Sequence, residues 1–162
     1  MAKRPTSTVP TKRKARTAYL LAQAHFAMRI RIDEALRDLE ATGLQYTVLS
    51  LVNQHPDLSS AELSRRFFRT QQAMGQLLSG LEQRGWLVRE EDPANRRILR
   101  VKLTDEGRSI VTAGGAAIDT VEDEAFSGFS AADIKVFRSV LESFDRHVAA
   151  PKAGSKRAVS DA

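Results

Sequence analysis

Four uncharged polar side chains, Gln72, Gln76, Ser79 and Gln83, recur at intervals of three and four, with Gln71 and Gly75 beside them. That spacing puts them on one side of a helix whose other side carries Met74, Leu77, Leu78 and Leu81. A primary amide presents a donor and an acceptor together, so it can pair with both N6 and N7 of adenine in a major groove. Ala73 and Gly75 are small enough to let the backbone approach a base edge. Arg65, Arg66 and Arg69 lie just upstream and suit phosphate oxygens. An ordinary solvated face also tolerates glutamine, a good helix former, so the flanking elements decide between the two readings.

A second cluster lies in DPANRRILRVKLTDEG, residues 92–107. Trp86 to Glu90 reads as a strand, and Ile98 to Leu103 alternates, with Leu99, Val101 and Leu103 on one face and Ile98, Arg100 and Lys102 on the other. The spacing predicts a hairpin whose loop is Glu91 to Arg97, with Arg96 and Arg97 near its tip, where they make no core. Cations held there answer the negative potential of a narrow minor groove. Thr104 is placed to cap the next helix, and Asp105 and Glu106 favour its positive end.

These residues need a scaffold, and the sequence predicts a mostly helical one. Ala15 to Leu39 has no Pro or Gly and carries an apolar stripe of Leu21, Met28, Ile32, Leu36 and Leu39. Thr42-Gly43 is expected to break that helix. Gln45 to Asn53 forms the next, stopped by His55-Pro56-Asp57. Ser59 and Glu62 have capping-box spacing, and Leu58 and Leu63 sit where a hydrophobic staple closes. A short helix therefore runs from Ser60 to near Phe68. Thr70 caps the glutamine-bearing helix, and Gly85 ends it. A helix-turn-helix followed at once by a β-hairpin is a winged helix. Beyond it, Val111, Ile118, Val121, Phe126, Val136, Val140, Phe144 and Val148 give the C-terminal segments apolar faces.

The 162 residues suit one domain with a real core. The net charge of +5 is unevenly spread. Residues 60–108 hold ten basic and seven acidic side chains; the flanking segments 18–59 and 109–149 are net acidic. A polyanion would meet the middle segment and the basic arm of Lys3, Arg4, Lys12, Arg13, Lys14 and Arg16. Residues 1–14 read as a disordered arm and 150–162 as a flexible tail. No apolar run is long enough to span a membrane, and the basic N-terminus is followed by no long apolar stretch, so a cytoplasmic protein is expected. There is no cysteine, hence no disulfide framework and no thiol-based peroxide sensing. No nucleophile–base motif, glycine-rich phosphate loop or metal spacing is present, and His25, His55 and His147 are scattered. The sequence therefore predicts no catalytic residues, no metal and no cofactor. The acidic run Glu122-Asp123-Glu124 reads as a solvated helix face.

The stretch LSSAELSRRFFRTQQAMGQLLSGLEQRGWLVREEDPANRRILRVKLTDEG resembles the winged-helix core of the multiple-antibiotic-resistance regulators, the MarR family. The specific signals are LxxLExRGWLxRxxDPxxxR after the recognition helix and VKLTDEG after the wing, and the likeness covers residues 44–108. It implies a mainly α fold with a small β-hairpin wing. Residues 15–149 would form one domain, with a DNA-binding head over about 44–108 and dimerisation helices over 15–41 and 105–149. It implies a homodimeric bacterial transcription regulator, usually a repressor released by a small molecule. The expected partner is double-stranded DNA with a pseudo-palindromic operator whose half-sites lie about 10–10.5 base pairs apart. DNA contacts fall to Arg65, Arg69, Thr70, Gln71, Gln72, Ala73, Gln76, Ser79, Asn95, Arg96 and Arg97. By the same resemblance Arg97 enters the minor groove. Asn95 stands where the family usually has an aspartate that orients this arginine, and an amide cannot form that ion pair.

The family's effector pocket lies between the first two helices, the winged domain and the long fifth helix. Candidates there are His25, Met28, Arg29, Ile32, Tyr46 and Phe67. An arginine beside aromatic and thioether groups suits an aromatic or acyl carboxylate or its thioester. The apolar members of this set serve equally as core. A second reading of the whole chain is an architectural DNA-binding protein with no effector and little sequence preference.

Overall fold

The computed structural model describes residues 15–149. In chain order they form α1 (Thr17–Ala35), a 3-10 turn (Arg37–Leu39), α2 (Gly43–Gln54), α3 (Ser60–Arg66), α4 (Gln71–Gln83), β1 (Leu87–Asp92), β2 (Asn95–Leu103), α5 (Asp105–Phe126) and α6 (Ala131–Ala149). The chain divides into two compact units, one ending at Val121 and one beginning at Glu122. The arm expected over 1–14 and the tail expected over 150–162 lie outside the described residues. No helix among the described residues is long and apolar enough to cross a membrane.

The core of the first unit gathers Val48, Leu49 and Val52 of α2, Leu63 of α3, and Met74, Leu78 and Leu81 of α4. Trp86, Leu87 and Val101 carry the base of the hairpin into the same cluster. Each fully buried leucine stabilises the head by about 1.5–3 kcal/mol, so α3, α4 and the hairpin hold their places through one shared core. The hairpin base gains a third partner. The Val101 N–H donates to the Leu58 carbonyl at 2.9 Å, and Ser59 bridges to Arg100.

Local chemistry sets the helix starts. Ser59 Oγ accepts from the Glu62 N–H, while Glu62 Oε2 accepts from the Ser59 N–H at 2.8 Å. Leu58 and Leu63 are both buried, as the staple requires. Thr70 Oγ1 accepts from the Ala73 N–H at 3.1 Å and starts α4. At the far end Gly85 adopts φ +72°, with its N–H on the Glu82 carbonyl and the Trp86 N–H on the Leu81 carbonyl. That is a Schellman stop with glycine at its left-handed residue.

Four expectations need correction. The first helix does not run to Leu39; it ends at Ala35, and Leu36 is pulled into full burial before the 3-10 turn. Periodicity alone could not show this, because a 3-10 turn keeps apolar residues close to helical spacing. The second helix starts at Gly43, not Gln45. Thr42 forms a capping box with Gln45, and the Gly43 N–H donates to Asp33 Oδ1 at 2.6 Å. A Cβ at Gly43 would lie 2.9 Å from Ile32 Cγ2, so glycine there lets α1 and α2 approach. The third helix ends at Arg66, short of Phe68.

The fourth correction concerns the wing. Pro93-Ala94 alone forms the turn, where a loop over Glu91 to Arg97 was expected. Asp92 Oδ1 accepts from the N–H groups of Ala94 and Asn95, closing the turn in so few residues. The pairs Glu91–Leu99 and Asp92–Asn95 are consecutive, so Arg96, Arg97 and Ile98 bulge between them. Toward the tip the strands run past the core, and Leu99 is 40% exposed where Val101 is buried.

In the second unit, Ser130 caps α6 through the Asp133 N–H. The Phe126 ring meets Phe129 and Phe137 with centroids 6.0 Å apart. Val136, Phe137, Val140, Leu141, Phe144 and Val148 of α6 are all exposed. In the first unit α1 likewise buries no residue and exposes Tyr19, Leu20, Phe26 and Ile30.

Candidate nucleic-acid interface

Packing fixes which face α4 presents. With Met74, Leu78 and Leu81 buried, Gln71, Gln72, Gln76 and Gln83 are exposed, and Ala73, Gly75 and Ser79 are half-buried beside them. Thr70 and Arg69, just before the helix, are exposed as well. No atom approaches within 4 Å of a Cβ built on Gly75, so nothing inside the fold demands glycine there.

Ser79 has an internal partner. Its Oγ accepts from Arg89 Nη2 at 3.0 Å, leaving the hydroxyl proton for an outside acceptor. The same guanidinium holds Glu82 through Nε at 3.1 Å and Nη2 at 2.5 Å. This donation keeps the Glu82 carboxyl below its ordinary range. Arg89 on β1 is thereby tied to α4, so wing and recognition helix share one frame. Both residues lie in the LExRGWLxR run, where spacing alone does not reveal that they pair.

Arg65 of α3, Gln71 of α4 and Arg97 of β2 line one open groove of about 470 Å³, with Ser60, Ile98 and Leu99 around them. Phosphate-suited, base-suited and minor-groove-suited side chains thus converge. Arg96 is exposed and sits 3.9 Å from Glu91. Asn95 Oδ1 accepts from the Arg97 N–H at 3.2 Å, so the amide orients the backbone of Arg97 and leaves its guanidinium without an ion-pair partner among the described residues.

A residue given no functional role in the sequence ties the wing down. Arg100 donates from Nε to Asp92 Oδ2 at 2.7 Å and from Nη1 to the Asp57 carbonyl at 2.8 Å, and it lies 3.7 Å from Glu62. Its donation to Asp92, first among several hydrogen bonds, lowers that carboxyl below the usual range, and Asp92 in turn raises Arg100. Glu62 is lowered mainly by the Ser59 hydroxyl and N–H. One arginine therefore joins the wing turn to the start of α3.

A second cavity, of about 230 Å³, is lined by His25, Met28, Arg29 and Ile32 of α1, Gly43, Leu44 and Thr47 of α2, and Phe67. Five of the six effector candidates meet there. Tyr46 does not: its ring packs on α5, where a Cβ at Gly114 would lie 2.6 Å from Tyr46 Cδ2. Arg29 Nε is 3.6 Å from Asp33 Oδ2, the carboxylate that also receives the Gly43 N–H.

A capped helix with an uncharged polar face, cations at its start and a basic hairpin locked beside it define a winged-helix head built to meet a nucleic acid. The sequence profile of the MarR family matches residues 38–98. The HTH-type transcriptional repressor Rv2887 of Mycobacterium tuberculosis is 31% identical over 124 residues, spanning 76% of this chain and 89% of that protein. With this identity and coverage, the chain belongs to the MarR family, whose members are DNA-binding transcription regulators and not enzymes. The crystal structure of Rv2887 in complex with salicylic acid superposes with a TM-score of 0.65 at 30% identity, covering 81% of this chain and 97% of that one. A MepR–DNA complex from S. aureus has a TM-score of 0.74 over 83% of this chain and 99% of that one; at 21% identity it shows a shared fold.

Proposed function

We propose that this protein is a sequence-specific transcriptional repressor that binds a pseudo-palindromic operator as a homodimer and is released by a single-ring aromatic carboxylate. The observation that carries the DNA reading is the groove in which Arg65, Gln71 and Arg97 converge. Arg65, Arg69, Arg96 and Thr70 take phosphates. Gln71, Gln72 and Gln76 read bases, with Ala73 giving close approach and Ser79 offering its remaining donor. Arg97 enters the minor groove from a backbone set by Asn95. The exposed apolar sets on α1 and on α6 are too extensive for a solvated surface and fit burial against a second copy.

The effector reading rests on Arg29 at the rim of an otherwise largely apolar cavity. Its 230 Å³ falls below the roughly 300–1,000 Å³ of pockets for drug-sized ligands, which favours one aromatic ring over a long acyl thioester. The salicylic acid complex of the relative supports the same class. An incoming carboxylate competes with Asp33 for Arg29, and Met28, Ile32 and Phe67 cover the ring.

Competition of a labelled genomic fragment against a pool of random fragments tests the first half. A specific regulator retains its fragment under excess competitor; an architectural protein loses it in proportion. Salicylate should then dissociate the retained complex, salicylamide should not, and Arg29→Ala should abolish the difference. Retention without any salicylate response would remove the effector from the account.

A further inference from the structure

We propose that Phe68 contacts the DNA backbone directly, as an apolar wedge in the turn that presents the recognition helix. The proposal rests on the DNA-binding reading above and extends it to a residue which that reading does not use.

The observation is a strained and exposed aromatic. Phe68 has φ +50° and is 69% exposed. Its N–H donates to the Arg65 carbonyl at 3.2 Å, and the Arg69 N–H reaches back to the Ser64 carbonyl at 2.9 Å. This is the Schellman geometry that closes α4, where the same chain places Gly85 at the equivalent residue. Glycine is the ordinary occupant because a Cβ is strained in the left-handed region.

Two other described residues besides glycine have positive φ, and the fold uses both. The Glu40 carbonyl and carboxylate receive Arg84, and the Asp57 carbonyl receives Arg100. Phe68 has no such use: its ring meets no aromatic or cation–π partner among the described residues. The ring is also absent from the hydrophobic core and from the residues packed on it, so the core does not account for a phenyl group at this turn. The turn requires the left-handed backbone, but it does not require a phenyl ring there; a costly residue kept at such a position is a mark of function.

The position indicates the partner. Phe68 is two residues before the Thr70 cap, between the exposed Arg66 and Arg69, and residues 68–72 are exposed without interruption. A helix-turn-helix brings this end of its second helix to the duplex. There the flanking cations draw in phosphates, and a phenyl ring can pack against deoxyribose. Such a contact positions the head without reading sequence.

The strain and the contact make opposite predictions for one substitution, which gives a sharp test. Full-length Phe68→Gly, Phe68→Asn and Phe68→Tyr are compared with wild type. Binding is measured by fluorescence anisotropy on a duplex selected from a random pool by the wild-type protein, and on a shuffled duplex. Phe68→Gly and Phe68→Asn should raise the thermal midpoint without DNA, since both residues accept the left-handed conformation. Both should bind each duplex about tenfold more weakly. The salt slope should not change, because no cation has been removed. Phe68→Tyr should keep wild-type affinity. Phe68→Gly affinity within about twofold of wild type would overturn the proposal. So would a lowered midpoint, which would make Phe68 structural, or a change in the assembly's mass by light scattering, which would place the ring against a second copy. Failure of wild type itself to bind any duplex would instead overturn the DNA-binding reading, and this proposal with it.

Discussion

Replacing Gly107 by alanine adds one methyl group beneath the wing. An ideal Cβ there lies 1.9 Å from the Trp86 carbonyl oxygen and 2.9 Å from its carbonyl carbon. Carbon–oxygen contacts are ordinarily about 3.3 Å or longer, so the first turn of α5 must retreat by about 1.4 Å. Thr104 holds that turn in place. Its N–H donates to the Trp86 carbonyl at 3.2 Å, and its hydroxyl donates to the Gly85 carbonyl at 2.5 Å and accepts from the Gly107 N–H at 3.0 Å. A retreat of this size breaks the two donations, worth about 1 kcal/mol each, and strains the packing around Trp86 by about 1–3 kcal/mol. The better helix propensity of alanine returns about 1 kcal/mol. The expected net destabilisation is about 2–4 kcal/mol. Gly80→Ala is the matched control. Nothing lies within 4 Å of its added Cβ, so it should stabilise by about 0.5–1 kcal/mol. Urea unfolding followed by fluorescence of Trp86, the sole tryptophan, reads both at a fixed protein concentration. A Gly107→Ala protein as stable as wild type would show that the first turn of α5 is not seated on Trp86.

Arg97→Ala should cost about 1–3 kcal/mol per half-site, and it should erase most of the preference between operators that are A·T-rich or G·C-rich beneath the wings. A mutant that discriminates as well as wild type would show that the bulge aims Arg97 elsewhere. Glu62, Glu82 and Asp92 all sit below their ordinary values of 4.5, 4.5 and 3.8. Their stabilisation is present above those values and is lost as pH falls through the depressed folded ones. Acid should therefore weaken the head from about pH 4 downward, and Glu82→Gln should flatten that limb in urea titrations at successive pH values. Light scattering at micromolar concentration should give twice the 17.9 kDa chain mass. Removing residues 2–14 should lower the salt slope of DNA binding and leave the preferred sequence unchanged, because flexible cations mainly neutralise phosphates.

The parts of the fold that local chemistry determines were legible in the sequence. The Ser59–Glu62 box, the Thr70 cap and the Gly85 stop all stand where their residue types put them. The amphipathic pattern of α4 gave its buried and exposed faces correctly. What escaped depends on partners distant in the chain. The break at Leu36 comes with burial of that side chain in the core, and the Glu40 carbonyl that follows is held by Arg84, 44 residues away. The two-residue wing turn depends on a side-chain acceptor at Asp92, which a loop count cannot show. Arg100 read as one member of an alternating strand; its contacts with Asp57, Glu62 and Asp92 exist only once the head is assembled. The packing of Tyr46 against Gly114 of α5 likewise joins residues 68 positions apart, and spacing along the second helix does not reveal it.

If two copies of this head bind one palindromic site and a ligand ends the binding, the DNA itself carries the record. Hydroxyl-radical footprinting on the duplex selected by wild type measures this most directly. A twofold-symmetric pattern is expected, with half-site centres about 10–10.5 base pairs apart and protected minor grooves on both outer flanks. The flank protection should vanish in Arg97→Ala, and the whole pattern should vanish when salicylate is added to wild type. Protection that is continuous, asymmetric or indifferent to salicylate would contradict it.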